Sequence, residues 1–129
     1  MSSNINENEN NRTQNITLFN NKIIEYLEFL NTIVDDAYFQ NKITKFINKI
    51  YFGIVMDKFV VFDLFKKNLY KYKTHIIEND VKIISHIEEH LFKKKITISD
   101  KWGNINDENK KTWWKYLRVF VLLYEKIDD

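Results

Sequence analysis

The chain has 129 residues, which is enough for one domain with a buried core. Its charges nearly balance, with a formal net charge of +2, and it contains no cysteine. Disulfides, thiolate metal ligands and cysteine nucleophiles are therefore excluded. Asn, Ile, Lys and Phe dominate while Pro is absent, a usage typical of A/T-rich codons, so the abundance of lysine says little by itself about function.

Residues 1–15 are polar, rich in Asn and nearly free of apolar side chains. Such a segment cannot bury enough surface to offset the entropy of ordering, so we expect a disordered tail before a single helical domain over 16–129. The segment lacks the apolar stretch of a secretory signal. No apolar run approaches the ~20 residues that span a bilayer. These features predict a soluble, intracellular protein with no membrane span.

Two helices are predicted after the tail, because apolar residues recur at steps of three and four. The first covers 17–34, and its core face is Phe19, Ile23, Leu27, Leu30 and Val34. The second covers 35–53, with Asp35 and Asp36 in its first turn, where carboxylates meet the positive end of the helix dipole, and Gly53 as its break. Its core stripe is Phe39, Ile43, Phe46, Ile47 and Ile50.

The middle of the chain predicts two more helices. The third covers 57–77 with Asp57 as a candidate cap, and its seam is Val61, Phe65, Leu69, Tyr72 and Ile76. The fourth covers 80–95, is capped by Asn79 or Asp80 and has three lysines in its last turn. Its inward residues are Ile84, Ile87 and Leu91.

A polar connection that contains Trp102 and Gly103 leads to a fifth helix over 107–127. Its apolar residues cover most of the girth, which is typical of a central helix or of one that docks a partner. These residues are Trp113, Trp114, Leu117, Phe120, Val121, Leu123 and Tyr124. The five segments together predict an all-α fold, a compact bundle of about five helices with a disordered N-terminal tail.

The C-terminal segment carries the most distinctive pattern. It reads Trp102-Gly103, then Asn109-Lys110-Lys111, then Trp114-Lys115-Tyr116-Leu117. It resembles the C-terminal block of uncharacterised helical proteins encoded by giant nucleocytoplasmic DNA viruses, in which an NK…W-x-YL helix follows a short turn rich in Ser, Asp and Asn. The resemblance covers about the last 30 residues, and this chain has Arg118 where that block commonly has Gln. It implies a viral protein in the cytoplasm of an infected host cell or in the virion, and it implies no activity.

The segment from His86 to His90 matches the H-x-x-E-H pattern of inverted zinc proteases. His86 and His90 share a helix face and can hold one metal ion, and Glu89 can activate a bound water. A third ligand must come from a distant helix, and the segment otherwise has the pattern of an ordinary amphipathic helix. We therefore interpret it as a solvated face, predict no cofactor, and keep a zinc metallohydrolase as a remote alternative.

The central third of the chain is basic, since residues 42–74 carry a net charge of +6 against −4 for 1–41 and zero for 75–129. Lysines with interleaved tyrosines can follow phosphates and stack on bases. The scarcity of Arg argues against base readout. A solvated face is the simpler interpretation, and nucleic-acid or acidic-surface binding is the alternative. The candidates are Lys42, Lys45, Lys49, Lys66, Lys67, Lys71 and Lys73.

Trp102, Trp113, Trp114 and Tyr116 are candidate interface residues, because Trp and Tyr are favoured anchors. Trp113 and Trp114 point about 100° apart on a helix, so we expect one inside and the other against the 98–106 connection or at an interface. The simpler interpretation packs Trp102 against helix five. Without a Gly-rich phosphate loop or a nucleophile elbow, we predict no enzyme and no small-molecule substrate. The prediction is a protein-interaction or structural protein, with self-association or a protein partner.

Overall fold

The computed structural model describes residues 2–87 and 101–128, with side chains from residue 9 onward. Every regular element in these ranges is helical, which confirms the all-α prediction. The α-helices are α1 (Ser2–Ile33), α2 (Ala37–Met56), α3 (Val60–Asn68), α4 (Lys73–Ile77) and α5 (Asp107–Asp128). Short 3-10 helices lie at Tyr70–Tyr72, Val81–Ile83 and Trp102–Asn104.

Helix α1 is longer than the helix predicted over 17–34, because it already begins at Ser2. The structure therefore continues the helix through the segment for which we expected a disordered tail. Side chains from Glu9 to Gln14 are exposed, and Ile16 is the first buried one. A helix satisfies its backbone hydrogen bonds internally and propagates cheaply from a packed turn. The helical backbone here therefore needs no apolar partner, and packing begins only at Ile16.

Helix α2 starts two residues later than predicted, so Asp35 and Asp36 precede it instead of lying in its first turn. Asp36 is the N-cap, and its Oδ1 accepts a hydrogen bond from the Phe39 amide at 3.0 Å. The helix does not break at Gly53 but continues to Met56, and the amide of Asp57 donates to the Gly53 carbonyl at 2.8 Å. The predicted end of this helix was therefore one turn too early, because a glycine costs a helix only about 1 kcal/mol relative to Ala and does not by itself end it.

The connection between α2 and α3 is short and tightly held. Asp57 Oδ1 accepts a hydrogen bond from the Phe59 amide at 2.9 Å. The buried Asn20 of α1 donates through Nδ2 to the Lys58 carbonyl at 2.9 Å. These two bonds fix the direction in which the chain leaves α2.

The single helix predicted over 57–77 is broken after α3, at Leu69. A 3-10 turn follows, in which the Tyr70 ring packs on the Tyr124 ring of α5 with centroids 4.2 Å apart. α4 then resumes, with Ile76 buried. The tighter turn redirects the chain onto α5, and this packing outweighs the regular helical period of the sequence.

Part of the helix predicted over 80–95 is described. Asp80 is the N-cap of the Val81–Ile83 turn, and residues 84–87 are α-helical. Residues 88–100, with the rest of that helix and its three lysines, lie outside the described residues. The inward residues that can be checked, Ile84 and Ile87, are buried.

The core is built where α1 packs along both α2 and α5, and α3 joins it. Its centre is an aromatic cluster around Phe19, which is 0% exposed. The Phe19 ring meets Phe62 and Phe65 edge-on at centroid distances of 5.8 and 5.5 Å, and Phe120 at 6.1 Å. Rings from three helices thus hold one another in place and set the surfaces that remain outside.

Candidate interaction surfaces

The candidate lysines of α2 lie on its outer side. Lys45 and Lys49 are exposed, and Lys42 Nζ lies 5.1 Å from the centre of the Tyr38 ring, a cation–π contact. The opposite side of the helix is the core stripe. Its buried residues are Phe39, Ile43, Ile47 and Ile50, as predicted.

The candidate lysines of α3 and its continuation are partly engaged by α5. Lys66 Nζ lies 3.5 Å from Asp128 Oδ1, and Lys73 Nζ lies 2.8 Å from Glu125 Oε2. The hydrogen bond that Lys73 donates to the Glu125 carboxylate raises the pKa of Lys73 above its ordinary value. These two ion pairs connect the α3–α4 segment to the end of α5. Because Lys66 and Lys73 are already paired with carboxylates, their positive charge is less available to a phosphate. The other two candidates, Lys67 and Lys71, are exposed.

The three tryptophans form one intramolecular cluster. Trp113 and Trp114 are both buried, at 0% and 5% exposure, and their rings meet edge-on with centroids 4.7 Å apart. Trp102 covers them, with its ring centroid 5.1 Å from that of Trp113 and 6.0 Å from that of Trp114. Of the three tryptophans, only the half-buried Trp102 retains surface for a partner. Trp113 and Trp114 can both be buried, although they are adjacent on α5, because the turn that carries Trp102 packs against both rings.

This turn is fixed by a charge pair. Lys101 Nζ lies 2.8 Å from Asp36 Oδ2, at the start of α2. The Lys101 hydrogen bond, followed by that of the Phe39 amide, lowers the pKa of Asp36 below its ordinary value of 3.8. One carboxylate therefore caps α2 and anchors the turn that carries Trp102.

Tyr116 is half-buried between α1 and α5. Its ring centroid lies 5.6 Å from that of Phe29 and 5.8 Å from that of Tyr26. Beside it runs a shallow groove of about 210 Å³, in which Lys22 is already paired with Glu25 at 3.0 Å. The exposed Lys115 is the second cation of its lining. Its lining residues are Lys22, Thr112, Lys115, Tyr116 and Val119.

Of the three residues that define the H-x-x-E-H pattern, the structure describes only His86. His86 is exposed, and its ring stacks on the Tyr72 ring with centroids 5.7 Å apart. Glu89 and His90 lie outside the described residues, so the zinc-site hypothesis stays a prediction. Within residues 2–87 and 101–128, no three His, Asp or Glu side chains are grouped to hold a metal ion.

Four residues at the end of α2 form an exposed apolar surface that the sequence analysis did not single out. The exposed fractions are 50% for Tyr51, 71% for Phe52, 83% for Val55 and 74% for Met56. Phe52, Val55 and Met56 are spaced i, i+3 and i+4, so they share one stripe of the helix, opposite the core face. We call Tyr51, Phe52, Val55 and Met56 the α2 patch.

The α2 patch was missed because the sequence analysis ended helix two at Gly53. That boundary placed Val55 and Met56 in a connection, where an apolar residue has no defined face. Extending the helical period by one turn is the signal that finds them. It puts both residues on the same side as Phe52 and away from Ile50.

The surroundings of the α2 patch are charged at both ends. Lys45 and Lys49 precede it on the outer side of α2, and Asp57 follows it; all three side chains are exposed. Beyond Asp57, the Phe59 ring is covered by cations, with the Arg12 guanidinium 5.2 Å from its centre. The Nζ of the exposed Lys58 lies 5.4 Å from the same ring centre, so the patch has cations at both ends and the Asp57 carboxylate beside one of them.

Comparison of the chain with protein-family models, with curated proteins and with solved structures found no match. In the part of the chain that the structure describes, no helix has both the length and the apolar character needed to cross a bilayer. The resemblance of the C-terminal block to giant-virus proteins stays a prediction.

Proposed function

We propose that this protein is a non-enzymatic interaction protein that binds a protein partner through the α2 patch. The observation that carries the proposal is the exposure of four large apolar side chains side by side. Its two aromatic side chains offer roughly 150–250 Å² each, and all four side chains are at least half exposed, so the patch amounts to roughly several hundred Å² of largely apolar surface. Patches of about 300–600 Å² are the largest that soluble monomers usually carry, and they are often functional.

The residue types of the α2 patch suit protein contacts. Tyr51 and Phe52 supply rigid aromatic anchors, of the kind that dominates binding energy in protein interfaces. Met56 adds a flexible side chain that adapts to the shape of a partner. Lys45 and Lys49 stand at its edge, where charged groups of an interface remain solvated. The patch therefore has an apolar centre and a polar rim.

Nucleic-acid binding is the alternative function, and it would depend on electrostatic attraction between lysines and phosphates instead of apolar burial. It would use Lys45, Lys49, Lys67 and Lys71, which are exposed, whereas Lys66 and Lys73 are engaged by α5. Binding through phosphates weakens steeply as salt is raised. Apolar docking does not, so the salt dependence of binding separates the two.

We also propose the setting that the C-terminal resemblance implies. The protein would act in the cytoplasm of an infected host cell or in the virion, as an interaction or structural component. A zinc metallohydrolase is a remote alternative, and stoichiometric zinc in protein purified without a tag would support it.

The proposal is tested by site-specific photo-crosslinking in cells that produce the protein. A photoreactive amino acid replaces Val55, and in a matched control it replaces Leu122, an equally apolar residue of α5 that is 67% exposed. We expect discrete crosslinked protein species from position 55 and none, or a diffuse background, from position 122. The absence of a species from position 55 would contradict the proposal, and nuclease-sensitive species would favour the alternative.

A further inference from the structure

We infer that the partner of the α2 patch is a helical segment of another protein, with apolar residues at both ends of one face and carboxylates between them. The inference rests on the proposed function, namely that the patch is a protein interface, and it names the chemistry of that partner. The outer side of α2 carries it, because apolar and basic residues form one continuous stripe there.

Six residues on the outer side of α2 follow one another at alternating steps of four and three. At about 100° and 1.5 Å per residue, they stay within a sector of about 80° over about 27 Å of helix. The cation–π contact of Lys42 with the Tyr38 ring places these two on the same side. A period of 3.5 residues keeps such a stripe facing a neighbouring helix along its length. We call the set the outer stripe, and its members are Tyr38, Lys42, Lys45, Lys49, Phe52 and Met56.

The outer stripe has apolar ends and a basic middle. Tyr38 is 67% exposed at one end, and Phe52 and Met56 are 71% and 74% exposed at the other. Lys45 and Lys49 are exposed between them, and α2 contains no Asp or Glu. The ion pairs found among the described residues all involve other cations. Lysines one turn apart repel one another, so a partner with carboxylates relieves a repulsion that the chain itself leaves.

Along the chain, carboxylates occur only beyond the ends of α2. Asp36 caps the helix from outside its first turn. Asp57 follows its last residue, next to Lys58 and close to the Phe59 ring on which Arg12 lies. The charges at the two ends of α2 are therefore mixed, whereas the middle of the outer stripe is uniformly positive. The acidic groups of the partner are expected opposite that middle.

The order of apolar and basic residues favours a helix over a membrane or a nucleic acid. A helix in a membrane interface buries a continuous apolar face and keeps its lysines on the polar side, but here the lysines lie between the apolar ends. A phosphate backbone offers charge to the lysines but little apolar surface to Phe52 and Met56. A second α2 has no carboxylate to contribute. A helix whose face is apolar, then acidic, then apolar complements the whole outer stripe, in the side-by-side packing common in helix recognition.

Selection from a peptide display library tests this chemistry, with the full chain as the target. The library consists of Ala-rich helical peptides of about 21 residues, which span roughly 30 Å, and six positions at steps of four and three are randomised. We expect the enriched peptides to carry Asp or Glu at the three middle positions and aliphatic or aromatic residues at the outer ones. Enrichment of basic or uniformly apolar peptides, or of none, would overturn the inference.

Fluorescence anisotropy with an enriched peptide as the probe locates the binding site on the full chain. Lys45→Glu should weaken binding about 5- to 20-fold, because it replaces an attraction by a repulsion, and a probe with Lys at the facing position should restore it. Lys67→Glu is the matched control, since it reverses an exposed lysine of α3 outside the outer stripe, and it should leave binding unchanged. Equal losses for the two variants would show that net charge alone attracts the probe and would overturn the assignment to α2.

The outcomes separate this inference from the proposal beneath it. If position 55 crosslinks to a protein in cells but the selection yields no acidic peptides, the α2 patch remains an interface and the acidic helix is wrong. If neither result is obtained, both are wrong. Without acidic peptides, binding to phosphatidylserine vesicles or to mixed-sequence DNA that Lys45→Glu abolishes would assign the outer stripe to lipid or to nucleic acid. Twice the chain mass of 15.8 kDa in light scattering, lost in Lys45→Glu, would assign it to a second copy.

Discussion

Replacing Phe19 by Ala should destabilise the fold by about 4 kcal/mol, within the ~3–5 kcal/mol range of buried Phe→Ala changes. Phe19 is 0% exposed, and its ring contacts Phe62, Phe65 and Phe120. Truncation removes its apolar burial, worth about 1.5–3 kcal/mol, and three aromatic contacts of about 0.5–1.5 kcal/mol each, with partial relaxation of the cavity. Domains of this size are stable by only about 5–15 kcal/mol.

Urea unfolding followed by tryptophan fluorescence and circular dichroism measures this change at one fixed protein concentration, because self-association shifts apparent stability. The midpoint should fall while its denaturant slope stays constant. Leu18→Ala is the matched control, since Leu18 is the preceding residue of α1 but 42% exposed; it should cost about 1 kcal/mol or less. Equal losses for the two variants would refute the placement of Phe19 at the centre of the core.

Two further predictions concern positions at the ends of α2. Gly53→Ala should stabilise the protein by about 0.5–1 kcal/mol, because Ala favours a helix interior and its Cβ would lie an acceptable 3.4 Å from Val60 Cγ1; a lower urea midpoint would contradict this. At the start of α2, the lowered pKa of Asp36 means that its ionised carboxylate stabilises the fold above the ordinary value of 3.8, and that this contribution is lost as the pH falls through the lower folded-state pKa. Thermal unfolding between pH 7 and pH 2 should therefore show wild type above Asp36→Asn at neutral pH and the two converging in acid, whereas a constant difference would argue against the Lys101 ion pair.

The helices and their buried faces were predictable from the sequence because they depend on local backbone geometry. Steps of three and four residues place Phe39, Ile43, Ile47 and Ile50 on one side of α2 whatever the rest of the chain does. The start of α2 was predicted to within two residues, but Asp36 was placed inside the first turn, whereas it is the N-cap that accepts from the amide three residues on.

The candidate site was less predictable, because exposure is a property of neighbours far away in the sequence. The lysines of α2 and those of α3 share one residue type in one basic stretch. Only the structure shows that Lys66 and Lys73 meet acidic side chains 62 and 52 residues away. Likewise, the tryptophan pattern did not say that Trp102 closes over both Trp113 and Trp114.

The extent of α2 shows most plainly what the sequence determined and what the tertiary structure determined. The sequence by itself determined that the chain is helical and which stripe of α2 faces the core, because a helix repeats its own geometry within a few residues. Tertiary structure decided that α2 runs past Gly53 to Met56 and that no other described element covers Phe52, Val55 and Met56. Whether an apolar side chain is buried or exposed depends on which surfaces the rest of the chain brings to it.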